Sequence, residues 1–398
     1  MRILFLTHRL PYAPNRGDRV RAYHLLHEMS RWAEVDLVSL VHDADEDAHV
    51  RDLRDVTSSI TTAKVPRLAG MLRAAAALPT PKPTTHSLLH APGLAGTVAD
   101  LVIARRPDLV FAYCTGVAPL ALLPALRDVP LVLDMVDVDS AKWAALAKTS
   151  PPPLSWIYAR EARLLRAFER DVATRSRITL VVTEKEQATL AEIAPAARIS
   201  VVTNGVDGER LRRPDTEPPA SPTVVFCGVM NYAPNVEGVL WLARQVWPIV
   251  RRSRADARLE IVGSQPTRAV QDLAGSEAGI IVTGAVPDVR PHLWRAAVAV
   301  APLLTARGIQ NKVLEAVAAG LPTVVTPVVS EGLPREVDAA CIKADGAEAF
   351  AAAIVSLLGR SAEERRTMVL KADVPGLSWK SRFAALEGLL TEAAGIKR

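Results

Sequence analysis

One stretch narrows the possible folds before anything else is read. Val298-Ala-Val-Ala-Pro302 is a short apolar run, and a polar loop around Gly308 follows it. Val313, Leu314, Val317 and Ala318 then recur at helical spacing. Gly320 and Pro322 supply a stop and an exit before a second apolar run at 323–326. Strand, helix and strand in that order make a parallel βαβ unit. The same alternation recurs along the chain. Apolar runs at 2–7, 35–41, 58–65, 108–113, 131–135, 178–183 and 199–203 are expected strands, as are those at 223–228, 259–263 and 279–283.

The fold class is therefore α/β, in two Rossmann-like, doubly wound halves. A ligand is expected in a cleft outside the carboxyl ends of the strands. The chain of 398 residues has room for two cores. The prolines of 212–222 mark the linker. Domains are expected at 1–211 and 223–377, with a helix at 378–398 packing back near the first.

The electrostatics of the 298–326 stretch are unusual. A helix start is the positive end of its dipole and favours Asp or Glu. Here Arg307 and Lys312 crowd that end, with no acid before Glu315. Cations there oppose the local rule unless an anion is held against the exposed amides. Lys312 and Glu315, three apart, share a helix face. A phosphate near Lys312 and a hydroxyl-bearing ring near Glu315 would satisfy both, which is the shape of a nucleotide-sugar diphosphate. The plainer alternative is a solvated helix face with a chance ion pair.

Similar reasoning picks out the region after the first strand. A rigid loop at 8–17 leads to Asp18, a helix-cap residue, with Arg19 and Arg21 in the first helical turn. These arginines read equally well as ordinary surface residues. Asp134, Asp137 and Asp139 follow an apolar run, where a DxD triplet can hold a divalent cation, supply a general base or cap a helix. Capping is the favoured use of Asp139. Asn235 and Asp288 are expected helix caps as well. The basic, apolar segment 64–78 suits either a membrane interface or packing on the sheet, packing being favoured.

Other classes are excluded. No GxGxxG follows a strand, and neither GxxxxGK[ST] nor GxSxG is present, so dinucleotide, P-loop and serine-hydrolase chemistry are disfavoured. A net charge of +5 with 5% aromatics lacks the interleaved basic and aromatic pattern of a nucleic-acid platform. Three scattered cysteines and no long apolar stretch imply a reducing compartment, so a cytoplasmic location is expected, with contact at the inner membrane face left open.

Taken together, the motifs resemble GT-B glycosyltransferases of the retaining family 4 type. The matching pieces are Asn204-Gly205-Val206-Asp207, Phe226-Cys-Gly228, Ile261-Val-Gly263, Thr283-Gly284, Ala301-Pro302, Lys312, Glu315-Ala316 and Gly320-Leu-Pro322. Gly17-Asp18-Arg19-Val-Arg21 carries a weaker match in the first half. The wording around Asn231-Tyr232-Ala-Pro234-Asn235 and 307–312 is similar to exosortase-associated exopolysaccharide sugar transferases.

The resemblance implies a donor site of Gly17, Gly228, Asn231, Gly308, Ile309, Gln310, Asn311, Lys312 and Glu315. Glu315 would accept from the donor ribose. Lys312, Glu315 and Arg307 are the expected catalytic group, and Arg19, Arg21, Asp134 and Asp137 the expected acceptor side or base. The implied partners are a nucleotide-diphosphate sugar and a glycan or polyprenyl-linked acceptor, with no metal and no cofactor. Two departures from the pattern stand out. Arg307 replaces a usual acid, and the usual Arg and Lys after the Phe-x-Gly strand are missing. They leave two alternatives: a degenerate sugar-nucleotide-binding protein, or a GT-B-fold epimerase or hydrolase.

Overall fold

The computed structural model describes residues 1–12, 17–214, 222–276 and 278–396. It divides into two compact units, Met1–Thr203 with Phe383–Arg398, and Asn204–Arg382. Residues 13–16 of the loop expected at 8–17, and 215–221 of the expected linker, lie outside the described residues. The division falls at Asn204, ahead of that proline-rich stretch.

The first unit is built on seven parallel strands. They are β1 (Arg2–Thr7), β2 (Glu34–Val41), β3 (Ser59–Lys64), β4 (Leu109–Tyr113), β5 (Leu131–Val136), β6 (Ile178–Val181) and β7 (Ile199–Val201), in the order β3-β2-β1-β4-β5-β6-β7. Ile3 to Leu6 and Leu109 to Tyr113 are buried throughout. Helices cover both faces of a parallel sheet, which explains runs that are apolar without alternation. Phe5 and Phe111 meet edge to face at 5.5 Å across the β1–β4 pair.

The second unit has six parallel strands: β8 (Thr223–Cys227), β9 (Arg258–Val262), β10 (Ile280–Gly284), β11 (Val298–Ala301), β12 (Thr323–Val325) and β13 (Cys341–Lys343). Their order is β10-β9-β8-β11-β12-β13. Trp247 is buried in this core and donates its indole N–H to the Ala278 carbonyl at 3.1 Å. In each sheet the chain builds one side first and then crosses over. The order reverses between β1 and β4, and again between β8 and β11. Loops leaving the carboxyl ends of those strands form the crevice where such sheets bind ligands.

Several local expectations are corrected. Arg19 and Arg21, on helix α1 (Gly17–Met29), are buried rather than surface residues. Arg19 donates at 2.6 Å to Glu46 on helix α2 (Ala44–Ala48), and Arg21 donates at 2.8 Å to Asp134. Asp139 is not a cap. It lies inside the helix Asp139–Thr149 and accepts the Thr115 hydroxyl at 2.9 Å. That helix start is served from afar, as Glu186 accepts the Val138 amide and Glu169 the Ser140 amide. Helix α3 (Arg67–Ala77) exposes Leu68, Met71 and Leu72 instead of packing them on the sheet. The helix expected near the C-terminus is interrupted. Trp379–Arg382 and Leu386–Ala393 are separated at Phe383, whose ring turns into the first unit and lies 5.8 Å from the Arg21 guanidinium. Among the described residues, no helix is long and apolar enough to cross a membrane.

Candidate active site

In the second unit, the loop after β11 runs over Gly308 into the helix Asn311–Ala318. Gly308 has φ +58°, a conformation that a side chain would strain. Its carbonyl would sit 2.5 Å from a Cβ on Gly332, so the loop lies tightly against that neighbouring turn. The helix ends as expected, with Gly320 at φ +84°. Val313, Leu314, Ala316, Val317 and Ala318 are its buried face.

No side chain caps this helix, and no acid stands in its first turn. At several other helix starts a side-chain oxygen accepts the orphan amides. Asp43 accepts the Glu46 amide, Glu161 the amides of Thr84 and Thr85, and Glu169 that of Ser140. Here the first turn carries Lys312 instead. Its ammonium donates to Asn235 Oδ1 at 2.6 Å and lies 4.6 Å from the Phe226 ring centroid.

Asn235 was expected as a cap. The helix Ala233–Trp241 has Tyr232 at that position, and buried Asn235 sits inside the first turn. Its Nδ2 donates to the Val229 carbonyl at 2.9 Å, which turns its oxygen towards Lys312. Gly228, at the exit of β8, makes room for the pair. A Cβ there would lie 2.8 Å from Asn235 Nδ2 and 3.4 Å from Lys312 Nζ. The exits of β8 and β11 are thus joined by Lys312 and Asn235 at the point where the strand order reverses.

Lys312 and Glu315 are both half-buried. Desolvation pushes the Lys312 ammonium down to about 8, against the attraction of the Cys227 and Glu315 groups. Desolvation pushes the Glu315 carboxyl up to about 7, against Lys312 and Arg210. Both shifts have the same origin: burial that penalises the charged form of each group. An ammonium and a carboxyl at one helix start suit a ligand that carries both phosphate and hydroxyl groups.

The other expected donor residues surround this pair unequally. Asn311 accepts from Asn204 Nδ2 at 3.0 Å, and Gln310 donates to the Arg307 carbonyl at 3.1 Å. Ile309 packs against the unit's core. Asn231 is exposed and hydrogen-bonds to Gln265. Arg307 itself is exposed in the loop, unlike Lys312 and Glu315. Arg210, the contact of Asn204 with Asn311 and the supporting role of Asn235 are not visible in the sequence, because each acts across a long sequence separation.

In the first unit, Gly17 begins α1, and residues 13–16 just before it lie outside the described residues. The β1 and β4 exits bring His8 and Tyr113 together, with stacked rings 5.8 Å apart. Cys114, just beyond β4, and Val136, the last residue of β5, adopt φ +70° and +65°. For β-branched Val136 this is a strained conformation. It is held by the Val136 amide donating to Asp134 at 3.2 Å and the Val136 carbonyl accepting from Val182. Burial raises the Asp134 carboxyl, and the Arg21 guanidinium opposes that shift. Asp134 is therefore a buried ion-pair partner, while Asp137 beyond the strand end is half-buried.

Two family models match the chain. One, described as a glycosyl transferase 4-like domain, matches residues 16–205, and the other, glycosyl transferases group 1, matches residues 221–360. The chain is a glycosyltransferase of the GT-B fold.

Solved structures agree on that fold. Sucrose-phosphate synthase from Thermosynechococcus elongatus aligns over 98% of both chains, with 15% identity and a TM-score of 0.72. Anabaena HepE in complex with UDP and glucose aligns over 98% of this glycosyltransferase and all of HepE, at 14% identity and TM-score 0.67. The N-terminal domain of Candida albicans trehalose-6-phosphate phosphatase aligns over 98% and 97%, at 12% identity and TM-score 0.70. No curated protein matches the sequence. In the glycosyltransferase, Lys312, Glu315 and Gly308 fall within the group 1 segment, and Arg19, Arg21 and Asp134 within the other.

Proposed function

We propose that this glycosyltransferase moves a sugar, with retention, from a nucleotide-diphosphate donor to a polysaccharide or polyprenyl-linked glycan, in exopolysaccharide assembly. The observation that carries the donor reading is the uncapped helix at Asn311, with Lys312 held by Asn235 in its first turn and Glu315 one turn on. HepE, which shares the fold, was solved with UDP and glucose bound. A diphosphate against the amides of Asn311 and Lys312 and the Lys312 ammonium would leave Glu315 to accept hydrogen bonds from ribose hydroxyls. The departing nucleoside diphosphate gains negative charge as the glycosidic bond breaks. Lys312 and the helix start would meet that charge without reorganising, which lowers the barrier. This arrangement needs neither metal nor cofactor. Arg307, exposed in the loop, is assigned to the outer phosphate or to a carboxylated sugar.

A thermal-shift panel of UDP, GDP and their sugars tests the donor reading, since a ligand of the native state raises its apparent stability. Donor turnover with and without lipid extract then tests the reaction, and NMR of the anomeric product tests retention. Turnover without acceptor would indicate an epimerase or hydrolase, and a shift without turnover would indicate a binding protein. No shift with any nucleotide would sink the donor reading.

A further inference from the structure

Helix α3 packs inward through Gly70 and Ala77 and leaves Leu68 80%, Met71 62% and Leu72 73% exposed. Those three lie at i, i+3 and i+4, on one stripe of the helix. A surface helix normally turns such a stripe to the core; this one presents it to the outside. The close approach at Gly70, where a Cβ would meet the Leu88 carbonyl at 3.2 Å, sets the inner face and so fixes the outer one.

A second apolar group stands beside the end of α3. Arg160, on the helix Leu154–Arg175, donates to the carbonyls of Ala77 at 2.8 Å and Lys82 at 3.0 Å. That ties the carboxyl end of α3 to the start of the longer helix. One turn before Arg160, Trp156 is 69% exposed, and Leu154 is 45% exposed. A tryptophan half out of the protein, with its ring apolar and its N–H polar, suits the boundary between water and hydrocarbon.

The charges select the occupant. No Asp or Glu occurs from 64 to 99, nor from 140 to 160. Arg67, Lys82, Lys142 and Lys148 are exposed within those same segments. A second copy of the chain, meeting this face through a two-fold axis, would set like charges against each other. An anionic lipid surface would attract each of them and accept the apolar stripe as well.

We propose that α3 and the start of the Leu154–Arg175 helix form a docking face for an anionic bilayer. Leu68, Met71, Leu72 and Trp156 would enter the boundary between headgroups and acyl chains, with the basic side chains at headgroup level. This inference does not rest on the donor site. It concerns the first unit alone and stands whether or not the acceptor is lipid-linked.

Flotation of the full-length protein with vesicles tests it. Vesicles of phosphatidylcholine alone are compared with vesicles containing phosphatidylglycerol, at low and high salt. The expected result is partition onto the anionic vesicles, weaker on neutral ones and reduced by salt. Leu68→Ser with Leu72→Ser should lower that partition by about a hundredfold, roughly tenfold per leucine removed from an apolar contact. Because both residues are exposed, the thermal midpoint and UDP response of the variant should match the parent. Equal partition onto neutral and anionic vesicles, or an unchanged double variant, would overturn the proposal. So would a dimer in sedimentation that the double variant breaks while vesicles go unbound.

Discussion

Glu315→Gln should make the ligand-free glycosyltransferase more stable at pH 8 and poorer at holding a nucleotide sugar. The Glu315 carboxyl is raised from 4.5 to about 7, chiefly by desolvation. The folded state therefore holds the proton across a window where the unfolded chain has released it. Stability from this group is complete below about pH 4.5 and is lost as pH rises through about 7. At about 1.4 kcal/mol per pH unit, the shift corresponds to about 3 kcal/mol at pH 8. Residual solvent contact and the loss of a counter-charge for Lys312 bring the expected gain nearer 1–2 kcal/mol. For a unit of this size, that is a rise of roughly 2–8 °C in the thermal midpoint. At pH 5 the difference should shrink to a small part of that at pH 8, because the folded carboxyl is neutral and only the unfolded chain has begun to release its proton. The assay is paired thermal denaturation from pH 5 to 8, followed by titration with the nucleotide that the panel identifies. A difference that fails to grow with pH, or a variant that is less stable at pH 8, would refute the reasoning.

Three further outcomes can be checked on the same protein. Asn235→Ala removes the acceptor that holds Lys312, so nucleotide affinity should fall about tenfold or more by calorimetry, as expected for a hydrogen bond to a charged group. Gly228→Ala places a methyl 2.8 Å from Asn235 Nδ2. It should destabilise by about 1–3 kcal/mol in denaturant unfolding and weaken the same ligand. Arg307→Glu, at an exposed position, should leave the thermal midpoint unchanged while reducing donor binding; unaltered donor kinetics would remove Arg307 from the site.

The sheets could be read from the sequence because a strand covered on both faces shows itself as an uninterrupted apolar run. Ile3 to Leu6 and Val298 to Ala301 are buried on every residue. The stop at Gly320 was equally visible, since an αL position after a helix favours glycine. β13 was missed because Cys341-Ile-Lys343 is too short to show a pattern. The pairs were hidden for a different reason. Arg21 and Asp134 are 113 positions apart, and Lys312 and Asn235 are 77 apart. No local periodicity encodes who meets whom across a sheet. Asp139 looked like a cap because Asp beside Ser favours that role. Two remote glutamates took the helix start instead, and Asp139 turned to Thr115. The basic start at Asn311 was legible because cations at the positive end of a helix dipole run against the local electrostatic preference.

The second unit begins and ends at nearly one place. Val206 donates to the Leu377 carbonyl at 2.8 Å and bridges to Ser378, and a Cβ on Gly205 would strike the Trp379 backbone at 2.6 Å. A module whose entry and exit are clasped together can be lifted out as a single gene fragment, or spliced into another host, without stretching either end. Residues 204–382, expressed alone, should fold as a cassette that carries Lys312, Asn235 and Glu315 with it.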